Sequence, residues 1–138
     1  MNPPPEVPPA DDLTEGWWQA TRDHRLVVQE CTGCGHRQLP PRAVCTRCGA
    51  TAGLGFTEAG GDGQVDTYTH VHRPPRRDLA APYTVARVRL AEGPLLLTRL
   101  VTDDPDDLDD WRIGDRVRVD WVDLPDGRAL PIFRRAPR

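Results

Sequence analysis

Two short stretches, Cys31-Thr32-Gly33-Cys34 and Cys45-Thr46-Arg47-Cys48, constrain this chain more than anything else in it. Each C-x2-C pair places two thiols on one tight turn, and the ten residues between Cys34 and Cys45 are enough for the chain to fold back on itself. Four sulfurs can then converge tetrahedrally on one metal, and zinc is the metal that such a set favours. Gly35 and Gly49 follow the two pairs and allow the positive φ of a knuckle turn, leaving backbone N–H groups to face the sulfurs. The chain has 4 cysteines, so none is left over for a nucleophile. A pair of disulfides would need an oxidising compartment, and the start of the chain is proline-rich and acidic rather than a basic and then apolar leader. A thioredoxin-type redox pair would need a βαβ pattern that neither stretch has. A four-thiolate site has no open position, so the reading is a structural zinc held by Cys31, Cys34, Cys45 and Cys48. His36, between the knuckles, is then superfluous as a ligand.

A structural metal also explains how 138 residues can support a lobe too small for its own apolar core. In small finger peptides the metal contributes about 10–16 kcal/mol of apparent binding free energy, which is more than the net stability of many domains. The net charge of −3 argues against a dedicated phosphate-backbone binder. No run approaches the roughly 20 apolar residues of a membrane-spanning helix, so a cytoplasmic location is expected. All 18 basic residues are arginine, and serine is absent too, which excludes a lysine Schiff base or a serine nucleophile.

Residues 1–12 hold too many prolines for helix or sheet and read as an extended tether, of the kind that links a unit to an upstream domain or a partner. Residues 13–26 suit a short helix, with Asp12 as N-cap, Glu15 closing a capping box, and Leu13, Trp17 and Thr21 on one face. Trp18 lies about 100° round from Trp17, so a small body covers one more easily than both. Both tryptophans are therefore candidate partner contacts, against the plainer reading that they pack across an internal joint. Residues 27–58 read as the zinc ribbon, and the glycine-rich joint after Ala59 marks a boundary.

From 63 to 134 short period-two patterns recur: Val65, Thr67, Thr69 and Val71; then Tyr83, Val85, Val88 and Leu90; then residues 95–101; then Val117, Val119 and Trp121; then Leu130, Ile132 and Phe133. A polar helical turn over residues 103–111 falls between the third and fourth strands. Five such strands match a small barrel of OB type, with an open five-stranded sheet as the alternative. The predicted fold is thus mainly β: a short N-terminal helix, a zinc ribbon and a five-stranded OB-fold barrel.

Trp17-Trp18-Gln19-Ala20, Arg25-Leu26, the paired knuckles around Leu39-Pro40-Pro41-Arg42, the run from Tyr68 to Arg73, and Gly114-Asp115-Arg116-Val117 occur in an order that resembles the DUF35 family. That family joins N-terminal helices, a rubredoxin-like zinc ribbon and an OB fold. His24 departs from it, standing where the family often has glycine, and so does the proline-rich start. The resemblance implies an accessory or scaffold subunit of acyl-CoA metabolism that pairs with thiolase-like enzymes in a hetero-oligomer. Such partners include archaeal acetoacetyl-CoA thiolase with hydroxymethylglutaryl-CoA synthase, and the lipid-transfer-protein-like aldolases of steroid side-chain degradation. In the latter the DUF35 unit is similar to the C-terminal part of a hydratase subunit and supports retro-aldol cleavage in its partner. No membrane partner is implied.

In the connection between the first two barrel strands, Arg73, Arg76 and Arg77, with His72 beside them, could meet the phosphates of an acyl-CoA at the partner interface. The plainer reading is a solvated loop or a contact to acidic residues of the partner. Two further function classes remain in view. A nucleic-acid-binding ribbon and barrel would use Tyr68 and Tyr83 for stacking and Arg87, Arg89 and Arg99 for phosphates, but Asp103, Asp104, Asp106, Asp107, Asp109 and Asp110 would repel a polyanion. An enzyme acting alone would rest on His70 and His72 with Asp66 or Asp78, although no spacing forces a carboxylate beside them. No catalytic residue is assigned, and the isolated chain is expected to be non-catalytic.

Overall fold

The computed structural model describes residues 7–77, 79–104 and 110–137. The chain begins with one helix, α1 (Glu15–Thr21), followed by a small sheet of β1 (Val27–Cys31), β2 (Arg37–Gln38) and β3 (Leu54–Glu58). The sheet order is β2-β1-β3, all antiparallel, so β1 is central and ends on the first cysteine. Val27 and Val28 explain the centrality, because a strand flanked on both sides buries β-branched side chains well. The helix is shorter than expected and is capped differently. Asp11, not Asp12, organises its entry: the Asp11 carboxylate accepts from the N–H groups of Leu13 and Thr14, at 3.0 and 2.9 Å. Three turn residues then intervene before the helix, and Thr14 at its N-cap makes no side-chain cap bond.

Five further strands close a barrel in the order β4-β5-β6-β8-β7, so the open-sheet alternative does not apply. They are β4 (Asp62–Val71), β5 (Tyr83–Leu90), β6 (Leu95–Leu100), β7 (Arg116–Asp123) and β8 (Ala129–Arg135). β4 departs from the expected single alternation. Its register against β5 shifts between Val65 and Thr67, leaving Asp66 as a bulge. One extra residue exchanges the two faces of the strand, so Val65 and Tyr68 turn to the core while Thr67 and Thr69 are exposed. On β5 the buried set is Thr84, Ala86, Val88 and Leu90, which leaves Tyr83 and Val85 on the opposite face. Of the helical turn expected over 103–111, residues 105–109 lie outside the described residues.

Ribbon and barrel share one core. Leu26, Val28 and Ala59 belong to the same buried cluster as Val65, Val88, Leu100, Trp111, Val117 and Phe133. α1 is fastened onto this body at its C-terminal end. The buried Thr21 hydroxyl accepts the Ala129 N–H at 3.1 Å, and Arg22 donates to the Asp126 carbonyl at 2.8 Å. His24 follows with a positive φ of 53°, its Nε2 lies 2.6 Å from the Asp123 carboxylate, and its ring stacks on Trp121. Upstream of the helix, the Pro8 carbonyl accepts from Arg128, so the end of the proline-rich segment is held against the β7–β8 hairpin rather than hanging free. No helix among the described residues is long and apolar enough to cross a membrane.

Candidate metal centre and the groove beside it

The two knuckles fold by the same pattern. In the first, the Cys31 N–H donates to the His36 carbonyl and the Gly35 N–H to the Cys31 carbonyl. In the second, Cys45 donates to Ala50 and Gly49 to Cys45. Gly35 and Gly49 take φ values of 77° and 76°, a conformation that only glycine adopts without strain. Their amides go to carbonyls rather than to sulfur; amides of neighbouring residues face the sulfurs instead, that of Cys48 lying 3.5 Å from Cys45 Sγ.

The four Sγ atoms lie within 4.8 Å of one another, with Cys31–Cys48 at 3.7 Å and Cys34–Cys45 at 3.6 Å. A tetrahedral zinc with sulfurs at about 2.3 Å requires S···S separations of about 3.8 Å, whereas a disulfide would bring them to about 2 Å. The set therefore fits zinc and not disulfides. The thiols do not behave alike. The amides of Cys48 and Arg47 hold Cys45 down at about 6 against its burial. The His36 amide favours the Cys34 thiolate, but partial desolvation and hydrogen bonds with Cys45, Cys48 and Cys31 together push that thiol up to about 11. Four crowded sulfurs cannot all stay ionised without a cation among them, and a structural zinc supplies that charge. His36 is no ligand: its Nε2 lies 3.0 Å from the Thr46 hydroxyl.

Sequence reasoning did not find the pair of glutamines beneath the metal loop. Gln29 and Gln38 are buried, and Gln38 Nε2 donates to Gln29 Oε1 at 2.7 Å. Gln29 exchanges two hydrogen bonds with the backbone of Arg42, while Gln38 bonds the backbone of Val44 and Thr46. No local pattern distinguishes these amides from solvated ones, because their partners lie on the far side of the loop. The loop they fasten contributes Leu39, Pro40 and Pro41 to the lining of a groove of about 820 Å³. Trp17, Trp18, Leu95, Leu96 and Leu97 line the same groove.

Both tryptophans are half-buried and pack edge to face, 4.8 Å between ring centroids. Trp17 rests on the common core, and the Arg128 guanidinium sits 4.5 Å over the Trp18 ring. Arg128 is itself buried, 6% exposed, which the sequence did not suggest. The other candidates lie elsewhere. His72, Arg73, Arg76 and Arg77 are exposed in the connection that enters β5, at the opposite end of that strand from the groove. His70 Nδ1 lies 2.9 Å from the Thr84 hydroxyl, and the rings of His70 and His72 are 6.5 Å apart. Asp66, considered as their carboxylate, is drawn instead toward Arg87 and Arg89, and Asp78 is outside the described residues.

Residues 18–52 match the family description "ChsH2, rubredoxin-like zinc ribbon domain", and residues 56–122 match "ChsH2, C-terminal OB-fold domain". Among curated proteins, a probable enoyl-CoA hydratase alpha subunit of Thermomonospora curvata is 39% identical over 120 residues, covering 87% of this chain. The chain spans only 36% of that relative's length. A DUF35 domain-containing scaffold protein of Methanothermobacter thermautotrophicus is 30% identical over 105 residues, covering 75% of this chain and 76% of the relative. Among solved structures, a chain of an "Ltp2-ChsH2(DUF35) aldolase" superposes with a TM-score of 0.82 at 37% identity, covering 95% of this chain and 100% of that one.

Proposed function

Because this chain belongs to the DUF35 family of zinc-ribbon and OB-fold proteins, we propose that it is the accessory subunit of a cytoplasmic, acyl-CoA-processing complex built with a thiolase-like enzyme of the lipid-transfer-protein type. The reaction it supports is the retro-aldol cleavage of a steroid side-chain acyl-CoA, carried out in the partner. The observation that carries this reading is the match over nearly its whole length to the DUF35 chain of an aldolase. The saturated four-thiolate centre supports a scaffolding role, because it offers no position for substrate. Trp17 and Trp18 supply apolar contact to the partner. His72, Arg73, Arg76 and Arg77 face the phosphates of the acyl-CoA where it lies across the interface. A nucleic-acid-binding role is supported less well: Arg87 and Arg89 lean on Asp66, and Arg99 lies over Tyr83.

The test is reconstitution. The purified chain, the lipid-transfer-protein-like subunit and the mixture are assayed for aldol cleavage of a side-chain acyl-CoA. The expected result is co-elution of the two subunits and turnover in the mixture that the chain alone lacks. Turnover by the chain alone, abolished by His72→Ala, would overturn the proposal.

A further inference from the structure

β6 lines the groove, and over its first residues its ladder is one-sided. β6 pairs with β5 from Leu95 opposite Arg89 to Leu100 opposite Thr84, but it meets β8 at a single pair, Leu100 and Phe133. The phase of the ladder is set where the Leu90 N–H donates to the Pro94 carbonyl at 2.9 Å. Hydrogen-bonded pairs then recur every second residue, at Val88 with Leu96 and Ala86 with Thr98. Leu95 and Leu97 therefore turn their own N–H and C=O groups away from β5, toward the side on which β8 gives them no registered partner. β8 lies beside β6 in the closed barrel, and the Thr98 hydroxyl donates to the Pro131 carbonyl at 2.8 Å, but no residue of β8 is in register with Leu95 or Leu97. Leu97 is also 71% exposed, although it is a large apolar residue beside a groove lined by Trp17 and Pro40. Strand edges left one-sided in this way are what folded proteins ordinarily cover.

The rim decides what covers it. Arg42 is exposed among the residues lining the groove, and Arg87 and Arg89, across from Leu97 and Leu95, share the one carboxylate of Asp66 at 4.0 and 3.7 Å, so the rim keeps a net positive charge. We propose that an extended, apolar segment of the thiolase-like partner, flanked by acidic side chains, adds as a strand to the Leu95–Leu97 edge of β6. This rests on the accessory-subunit reading above and names the place and chemistry of the contact. An acyl chain could fill the apolar walls, but it would leave the outward amides of Leu95 and Leu97 without partners. A peptide strand satisfies them and brings carboxylates to the arginines in the same pose.

Amide hydrogen exchange at Leu95 and Leu97, read by NMR in the full chain with and without the recombinant lipid-transfer-protein-like subunit, tests this directly. Binding is expected to slow exchange at both amides by about tenfold or more. Leu97→Asp and Arg42→Glu should each weaken the complex by about tenfold or more while zinc content and melting temperature stay near wild type. Leu97→Pro, which removes one outward donor and no bond to β5, should do the same. If Leu97→Pro does not fold, the other two variants and the wild-type exchange decide. A complex of full affinity with unchanged exchange at these amides would overturn the contact and leave the accessory role standing. Equal slowing by decanoyl-CoA alone would assign the groove to an acyl chain and overturn it too. If the wild-type chain does not bind the subunit, the accessory reading falls and this contact falls with it.

Discussion

At the scale of single residues, His24 shows how a side chain can be accommodated where the backbone conformation favours glycine. Its φ of 53° is the angle that glycine takes freely, and a side chain there costs about 1 kcal/mol. The imidazole offsets that cost through Asp123 at 2.6 Å and the stacked face of Trp121. His24→Ala keeps the strained angle and loses both contacts, so it should destabilise the chain by about 1–2 kcal/mol, whereas His24→Gly should cost less. Chemical-denaturation midpoints of the two variants check the order. A second residue gives a pH signature. The hydrogen bond from Arg134, and then the Trp121 amide, hold Asp120 below the usual carboxylate range. A depressed folded-state pKa means that its contribution is present above about pH 4 and is lost as pH falls through the folded value. Asp120→Asn should therefore be less stable than wild type at pH 7, and the gap should narrow as pH falls below about 4; a gap independent of pH would refute the assignment. The four cysteines were legible because covalent spacing alone brings them together. Gln29 and Gln38 were not, because a buried amide is recognisable only once its partner across the loop is known.

At the scale of elements, the strands were readable as a set but not in phase. Alternation identifies β4, yet one unpaired residue at Asp66 reverses which side chains enter the core, and nothing local announces a bulge. The close approach of β4 to β5 has a sharper consequence at Gly63. A Cβ there would lie 2.8 Å from the Arg89 carbonyl oxygen and 2.6 Å from Val88 Cγ1, and the backbone atom cannot swing aside. Gly63→Ala should cost about 2–3 kcal/mol without altering zinc content, which parallel thermal melts and metal analysis would show. The helix was also legible in kind but overlong. Seven residues are too few to persist alone, so its ends are set by docking through Thr21 and Arg22 rather than by propensity. Trp17 contributes to that docking, and Trp17→Ala should lower stability by about 2–3 kcal/mol in the isolated chain.

At the scale of the whole molecule, the order of ribbon and barrel could be read from the chain, but their common core could not. Leu26, Val28 and Ala59 flank or belong to the metal-bearing sheet, yet they pack among barrel side chains. Zinc removal should therefore lower the melting temperature in one cooperative transition that includes the barrel, rather than melting the ribbon beneath an intact barrel. Calorimetry with and without a chelator distinguishes one transition from two. The barrel carries a kinetic consequence as well. β4, β5 and β6 form successive hairpins, and β7 and β8 form another, so most of the ladder joins neighbours in sequence. The ring is completed across β4–β7 and at the lone Leu100–Phe133 bridge, which tie residues far apart in the chain. Long-range closures form late, since their loop entropy is lost before contact is gained. The bridge should thus be the clasp of the molecule: in a refolding time course the Val101 amide, which donates to the Phe133 carbonyl at 2.9 Å, gains protection after the amides of the hairpins, and on unfolding it is exposed first.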